Sequence, residues 1–297
     1  MKTLVVRENS PLLPYLLKTL VDFKRNKIKN LLKFKSILVN GAVTTKHNHP
    51  LATGDKISIL TDKNAKNRQL LQFGIQIVYE DDDIIVINKP AGLLTVGTEK
   101  IRERTAFYQT FEYVKQSDPR KRGRVFIVHR LDREASGLLV LAKNMGAKSF
   151  LQNNWQKFEK KYLAIVHGTP KEKSGTISSF LAENKFLSVY SGKKTEESKH
   201  AVTKYRVIKS NEKYSLIEIT LETGRKHQIR VHLKDLGHPI VGDNRYSEKV
   251  EANLKTPAGR LALHAYYLAF NHPVSKKRLE FKSELPESIK KLTSFFY

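Results

Sequence analysis

An aspartate with arginines on either side lies in a polar turn between two apolar segments. Asp132 stands within residues 128–143, VHRLDREASGLLVLAK, close to Arg130 and Arg133. Nearby cations favour an ionised carboxylate, and loops at strand ends are where a scaffold commonly holds functional side chains. The pattern alone stays ambiguous, because Asp in a turn usually serves the hydrogen bonding of the turn. Asp132 is therefore a candidate catalytic carboxylate, with a structural role as the alternative.

A second candidate group begins where Thr223-Gly224 is expected to end a strand and start a helix. This break would direct backbone N–H groups and basic side chains outward, which suits the binding of anions. Residues 224–232 read GRKHQIRVH, with Arg225 at the expected helix start and Arg230 about one helical turn further on. The alternative is a basic helix with a solvated face.

The sequence predicts neither a metal site nor a nucleotide cofactor. Cys is absent, which removes thiolate ligands and thiol nucleophiles. His227 and His232 lie five positions apart, and no His-x-x-x-His pair is present, so a zinc site is not expected. Glycine-rich phosphate-binding loops are also missing from the sequence.

The charge of the chain predicts a polyanionic partner. The 297 residues contain 54 Lys and Arg against 29 Asp and Glu, a net charge of +25. Such an excess is typical of nucleic-acid-binding proteins. An anionic membrane is the alternative, but no basic amphipathic anchor helix is evident. Without a long apolar run or a signal-peptide pattern, we expect a cytoplasmic protein that binds nucleic acid and no membrane. We also expect it to be a monomer.

Positive charge is concentrated in the first quarter of the chain. Residues 1–75 contain 14 Lys and Arg against four Asp and Glu. A helix is expected from Ser10-Pro11, with Ser10 as its cap, and a second helix over Asn26–Phe34. Asn40-Gly41 then predicts a hairpin, followed by a strand over Lys56–Leu60. The expected RNA contacts of the second helix are Lys27, Lys29 and Lys33.

This order of elements resembles the small RNA-binding domain named after ribosomal protein S-four. The resemblance implies a helix-helix-hairpin RNA-binding domain over residues 1–62, with a basic helical cap as the alternative. The polar residues 63–74 are predicted to form a linker, and residues 75–297 the main domain.

The main domain is predicted to have an α+β fold with a largely antiparallel or mixed sheet. The charged stretch Gly97–Gly123 is expected to form a loop or lid. Helices are expected over Gly146–Phe158, Lys226–Leu236 and Pro286–Phe296. The predicted strands are Ile75–Tyr79, Ile84–Asn88, Val125–Val128, Gly137–Ala142, Tyr162–Val166, Val202–Ile208, Ser215–Leu221 and Leu261–Phe270.

Residues 128–143 closely resemble the signature of the RluA family of pseudouridine synthases, His-Arg-Leu-Asp followed by Ser-Gly-Leu-Leu. Four further blocks occur in the family's order, at residues 78–93, 160–168, 221–243 and 261–273. The resemblance implies that Asp132 is catalytic, that Tyr162 is an active-site residue and that Arg225 pairs with the catalytic carboxylate. Arg130 and Arg230 are then expected to bind RNA, Arg230 through phosphate. Ala135 departs from the family's usual Thr.

The resemblance also implies the reaction, the isomerisation of uridine to pseudouridine in RNA without cofactor or metal. Large-subunit (23S) ribosomal RNA is the first expected substrate and transfer RNA the second. A non-catalytic RNA-binding factor in ribosome assembly is the rival. Three roles of Asp132 remain open: attack on ribose carbon 1′, addition to uracil carbon 6, and assistance of an elimination.

Overall fold

The computed structural model describes residues 2–21, 23, 25–33, 37–59, 71–120, 122–247 and 259–296. Within it the chain divides into two compact units, Met1–Leu70 and Leu71–Tyr297. Residues 63–70 of the predicted linker lie outside the described part. Residues 72–74 form a single 3₁₀ turn at the start of the second unit.

The described residues of the first unit form two helices and six short strands. Four strands form one sheet in the order β1-β6-β3-β4, and β2 pairs with β5. Its buried core includes Leu12 and Leu16 of the first helix with Ile28 and Leu32 of the second. The elements are β1 (Lys2–Val5), β2 (Ser10–Pro11), α1 (Leu12–Thr19), α2 (Arg25–Lys33), β3 (Ile37–Val39), β4 (Ala42–Val43), β5 (Pro50–Leu51) and β6 (Lys56–Ile59).

The predicted hairpin and both helices of the first unit are present. Asn40 and Gly41 have φ values of 50° and 83° between β3 and β4, as an Asn-Gly turn requires. The predicted cap is wrong, because Ser10 pairs with Leu51 in a strand and α1 starts after Pro11 without a side-chain cap. In α2 the Lys29 side chain is exposed, whereas the side chains of Lys27 and Lys33 lie outside the described part.

The second unit is built on one 11-stranded sheet. Its helices are α3 (Ala106–Ser117), α4 (Met145–Asn153), α5 (Gln228–Asp235) and α6 (Glu287–Thr293). Its strands are β7 (Gln76–Glu80), β8 (Ile84–Lys89), β9 (Phe126–Ile127), β10 (Ser136–Ala142), β11 (Glu159–His167), β12 (Ser174–Glu183), β13 (Val189–Gly192), β14 (Lys199–Ser210), β15 (Tyr214–Leu221), β16 (Leu263–Asn271) and β17 (Arg278–Lys282).

The sheet is mixed and largely antiparallel. Its order is β13-β12-β14-β15-β11-β16-β10-β8-β7, with β17 beside β16 and β9 beside β10. Strands β10 and β16 run parallel, whereas the neighbours β8, β11 and β15 pair antiparallel. All seven residues of β10 are buried, which explains its continuous apolar sequence. The predicted α+β class with a mixed sheet is confirmed.

The expectation of a loop over Gly97–Gly123 is wrong, because α3 occupies the middle of this stretch. Thr105 caps this helix, and its hydroxyl accepts a hydrogen bond from the backbone N–H of Tyr108. Ala106, Thr110 and Val114 form the buried face. Their spacing of four residues is helical, but Thr110 and the surrounding charges weaken the apolar signal in the sequence.

Within the described part of the chain, no helix is long and apolar enough to cross a membrane.

Candidate active site

The loop that carries Asp132 is anchored where β10 passes close to β16. Gly137 has a φ of 122°, and a Cβ atom there would lie 2.2 Å from the carbonyl oxygen of Ala265. Only glycine permits both this backbone conformation and this approach. Residues 128–135 enter β10 from β9, so this contact fixes the position from which Asp132 projects.

The ammonium group of Lys89 binds the backbone of the same loop. Lys89 is fully buried, and its Nζ lies 2.8 Å from the carbonyl oxygens of Leu93 and Ala135 and 3.3 Å from that of Arg133. Burial, together with the charge of Arg260, lowers the pKa of Lys89 to about 7. Lys89 thus joins the turn after β8 to the backbone beside Asp132.

Thr95 binds the residue next to Asp132 from the other side. Its hydroxyl donates to the carbonyl oxygen of Leu131 at 2.7 Å and accepts from the Leu131 N–H at 3.1 Å. Both backbone groups of Leu131 are therefore satisfied, which restricts the loop to one conformation. The Gly92 N–H adds a bond of 2.8 Å to the carbonyl oxygen of Arg133.

The guanidinium of Arg230 contacts three carboxylates. Its Nε and Nη2 atoms donate to Asp243 at 2.8 and 2.7 Å, and its Nη1 lies 3.6 Å both from Oδ2 of Asp132 and from Oε2 of the more exposed Glu134. Burial lowers the pKa of Arg230, but the hydrogen bonds and charge of Asp243 with the charge of Asp132 outweigh this effect and raise it. The bidentate bond to Asp243 fixes the plane of the guanidinium, so Asp132 meets a preoriented cation.

The prediction that Arg225 pairs with the catalytic carboxylate is therefore wrong in this structure. Arg225 is exposed and donates from Nε to the carbonyl oxygen of His200 at 3.1 Å. It precedes α5, whereas Arg230 lies in the buried first turn of that helix. The predicted phosphate contact of Arg230 is also unfavourable, because its side chain is only 4% exposed and faces Asp243 and Asp132.

Tyr162 enters the site from β11. The pairing of β11 with β16 shifts register between Lys161 and Tyr162, a bulge that redirects a side chain. Burial and, to a lesser degree, the charge of Asp132 raise the pKa of the Tyr162 phenol above its usual range. The ring also packs against two of the apolar clusters of the unit. Tyr162 therefore presents a neutral aromatic side chain near Asp132.

One open cavity of about 750 Å³ is lined by Asp132, Tyr162, Arg225 and Arg230. The size lies within the range of small-molecule pockets. The predicted RNA contact Arg130 lies on its wall and is exposed to solvent. Also on the wall, the ring of Trp155 stacks on His129 at 4.1 Å. Burial lowers the pKa of His129 to about 3, so this imidazole is neutral. The cavity can thus accept a planar base.

Lys160 is a further cation on the wall of the cavity. It is 5% exposed, and its Nζ donates to the carbonyl oxygen of Trp155 at 2.9 Å. Burial lowers the pKa of Lys160 to about 8. Arg230 and Lys160 therefore line the cavity from buried positions, Arg230 as a full cation and Lys160 as a cation whose charge burial disfavours.

A separate cluster of Asp81, Asp83 and His272 has the spacing of a metal site, with all three ligand atoms within 4.8 Å. Its hydrogen bonds give another explanation. His272 Nδ1 accepts from the N–H of Ser275 at 3.0 Å, so the proton of a neutral ring resides on Nε2. This atom lies 3.0 Å from Oδ2 of Asp81, although the angles of this contact do not meet those of a hydrogen bond. The polar contact joins the residue that follows β7 to the residue that follows β16.

Sequence reasoning missed Asp243 and Lys89. Asp243 is 2% exposed and Lys89 0%, and neither has a local pattern that sets it apart from turn residues. One signal pointed to Asp243, namely an acidic residue after the apolar Ile240-Val241-Gly242 in a strongly basic segment. A buried carboxylate requires a cation, and Arg230 is the nearest basic residue on an apolar helix face.

Comparison with known proteins agrees with this geometry. The family model for RNA pseudouridylate synthase matches residues 83–235, which include Asp132, Tyr162 and Arg230. An uncharacterized RNA pseudouridine synthase of Mycoplasma genitalium is 34% identical over 99% of this chain and 96% of its own length. The ribosomal large subunit pseudouridine synthase D of Vibrio cholerae is 35% identical over 92% of this chain and 86% of its own.

Solved structures share the fold. Human RNA pseudouridylate synthase domain containing 4 superposes with a TM-score of 0.60 at 26% identity, covering 72% of this chain and 90% of that one. Human RNA pseudouridylate synthase domain containing 1 has a TM-score of 0.57 at 25% identity, covering 75% and 94%.

Proposed function

The chain belongs to the RNA pseudouridylate synthase family, and from this membership we propose that it isomerises uridine in large-subunit ribosomal RNA with Asp132 as the catalytic residue. As a member of the family it is an isomerase that acts on RNA. The proposal adds the substrate and the residues. The observation that carries it is the 3.6 Å contact between Asp132 and the anchored Arg230.

The reaction needs a carboxylate and room for a base. The glycosidic bond breaks, the uracil turns, and its carbon 5 joins ribose carbon 1′; carbon 5 loses its proton to solvent, and nitrogen 1, freed from the ribose, takes up a proton. Substrate and product are isomers, so no electrons are gained or lost. Asp132 faces a cavity of about 750 Å³, and a base that has left its stack enters such a site by flipping.

Each residue of the site has a role in this proposal. Asp132 acts on the ribose or the base, by one of the three routes that the sequence left open. Arg230 holds the carboxylate in place and stabilises its charge. Tyr162 packs against the base; removal of the carbon 5 proton by this residue would require its phenolate, because a neutral phenol is not a base. Arg130 and Arg225, exposed at the wall of the cavity, bind the RNA backbone.

The substrate class is supported by two features. The Vibrio cholerae relative is named for the large ribosomal subunit, and the net charge of +25 suits a long polyanion. We also propose that the enzyme acts as a monomer in the cytoplasm. Light scattering of the purified protein tests the first point, and fractionation of cells tests the second.

The test of the reaction uses Asp132→Asn, which removes the charge and nearly preserves the shape. Large-subunit ribosomal RNA labelled with tritium at uracil carbon 5 is expected to release label with the wild type and none with the variant. RNA binding is expected to survive in the variant. Appreciable release by Asp132→Asn would refute the catalytic role. Release of tritium from transfer RNA but not from ribosomal RNA would show that transfer RNA is the substrate.

The first unit is proposed to be an RNA-binding domain of the S-four type. Support comes from the charge of residues 1–75 and from the exposed Lys29 on α2. Removal of Met1–Leu70 leaves the second unit with its own apolar clusters. RNA affinity should then fall and depend less steeply on salt, as phosphate contacts are lost. If RNA affinity depended on salt concentration as steeply as before, the first unit would not contact RNA.

A further inference from the structure

The tip of the hairpin formed by β12 and β13 exposes large apolar side chains. Phe186 is 73% exposed and Leu187 is 63% exposed. Among the described residues of the second unit, Phe186 has the highest exposed fraction of any large hydrophobic side chain. Adjacent exposed apolar side chains on a loop mark an interaction site more often than a single exposed one does.

The tip is held in one conformation although its side chains face solvent. Oδ1 of Asn184 accepts from the N–H groups of Phe186 and Ser188, both at 3.0 Å. Leu187 has a φ of 59°, a left-handed conformation that costs a leucine free energy. Backbone strain of this kind persists where the surroundings impose it, commonly at binding sites. The Phe186 ring is therefore presented by a preorganised turn.

The tip is joined to the wall of the catalytic cavity. Arg245 lines that cavity, and its Nη2 donates to the carbonyl oxygen of Leu187 at 2.7 Å and to that of Phe186 at 3.3 Å. Tyr246 accepts from the Val189 N–H at 3.1 Å through its hydroxyl. The same Tyr246 ring lies 5.0 Å from the guanidinium of Arg230. One chain of contacts thus connects the tip with Asp132.

One cation lies beside the exposed ring, and two more lie between the tip and the cavity. The Nζ of Lys185 lies 5.3 Å from the centroid of the Phe186 ring. Arg245 and Lys226 lie on the side of the cavity, where Lys226 is paired with Glu183. An aromatic ring beside several cations fits an unpaired nucleotide, because the base stacks on the ring while phosphates meet the cations. An apolar protein surface would gain nothing from these charges.

We infer that Phe186 is a stacking platform for an unpaired base of the substrate RNA, next to the uridine that enters the cavity. The inference rests on the proposed function in one respect, that RNA occupies the cavity. Stacking outside the cavity holds the strand while the target uridine is flipped inside. Phe186 then contributes to affinity and to the choice of sequence around the target, and takes no part in the chemical step.

The test compares three substitutions of Phe186 in the full-length protein. Phe186→Ala removes the ring, Phe186→Leu keeps apolar bulk without an aromatic face, and Phe186→Tyr keeps the face. Because the side chain is 73% exposed, all three should fold, which thermal unfolding verifies. Val274→Ala is the matched control, since Val274 is 64% exposed in the turn between β16 and β17.

Affinity is measured by filter binding to an in-vitro transcript of large-subunit ribosomal RNA. Phe186→Ala and Phe186→Leu are expected to weaken binding about tenfold to a hundredfold, the effect of losing one stacked base. Their KM should rise while kcat is unchanged. Phe186→Tyr and Val274→Ala should bind like the wild type. Ultraviolet cross-linking should place nucleotide on the tryptic peptide 186–193 that begins with Phe186.

Two results would overturn the inference. Wild-type affinity in Phe186→Ala would show that RNA does not use the tip. Wild-type affinity in Phe186→Leu, with loss in Phe186→Ala, would indicate an apolar contact in place of stacking. The binding result and the catalytic result can fail separately. If the transcript binds through Phe186 but releases no tritium, the proposed function is contradicted and the role of Phe186 in binding is retained.

Discussion

The Nη1 atom of Arg230 lies 3.6 Å from Oδ2 of Asp132, while the other two nitrogen atoms of the same guanidinium are bound to Asp243. The Asp132 side chain is 25% exposed and that of Asp243 is 1% exposed. The buried carboxylate therefore positions the cation, and the cation positions the carboxylate that faces the cavity.

The first prediction separates Arg230 from Arg225. Arg230→Lys keeps a charge but loses the planar fork that binds Asp243, so the cation is no longer fixed beside Asp132. We expect kcat to fall about tenfold to a hundredfold, the effect of losing one charged hydrogen bond to Asp243. Arg225→Lys, the matched control, should retain its kcat. Single-turnover tritium release measures both. The opposite ranking would restore Arg225 as the partner of Asp132. Arg230→Met is less suitable, because an unpaired buried Asp243 costs about 3–5 kcal/mol.

The second prediction concerns pH and Tyr162. Burial raises the pKa of its phenol above the usual range, so this group should not ionise between pH 7 and about 9. The pH profiles of the wild type and of Tyr162→Phe should therefore run parallel there. A bend present only in the wild type would instead identify Tyr162 as a phenolate base.

The third prediction concerns Lys89. Lys89→Met is close in volume but leaves the carbonyl oxygens of Leu93 and Ala135 without their donor. Unsatisfied buried groups should lower the free energy of unfolding by about 2–5 kcal/mol. Urea denaturation measures this loss. The exposed Lys185→Met is the control and should leave stability unchanged. Activity should fall as well, because Ala135 belongs to the loop that carries Asp132.

The fourth prediction concerns stability in acid. Ser136 Oγ lies 2.8 Å from His264 Nδ1, and Ser283 Oγ lies 3.1 Å from its Nε2. Burial, with the charge of Arg260, lowers the pKa of His264 to about 4. The unfolded chain takes up this proton near the ordinary value of 6.5, so stability is lost as pH falls from 6.5 to about 4. The loss should be on the order of 3 kcal/mol.

Urea midpoints between pH 4 and 7 measure this slope. His264→Gln retains an amide at the site and should flatten the pH dependence, whereas the exposed His200→Gln should leave it unchanged. An equally steep slope in His264→Gln would assign the acid sensitivity to other groups.

Local patterns predicted most elements of the fold. Asn40-Gly41 specifies its hairpin because both residues tolerate positive φ. The apolar run of β10 predicts a strand buried on both faces. Strands β12, β13 and β17 were not predicted, since their exposed and polar residues carry weak alternation, and α3 was missed because charge surrounds it. These elements are stabilised by contacts with residues distant in sequence, and the secondary-structure propensity of a local segment does not include such contacts.

The sequence by itself determined the family and the candidates Asp132, Tyr162 and the two arginines, because residue type and order are local information. Only the tertiary structure decided which arginine meets the carboxylate. Arg225 and Arg230 are five residues apart in one basic segment, and the helix turns Arg230 inward while Arg225 stays in solvent. Asp243 completes that choice, since a buried acid 13 residues away selects the cation that can reach it.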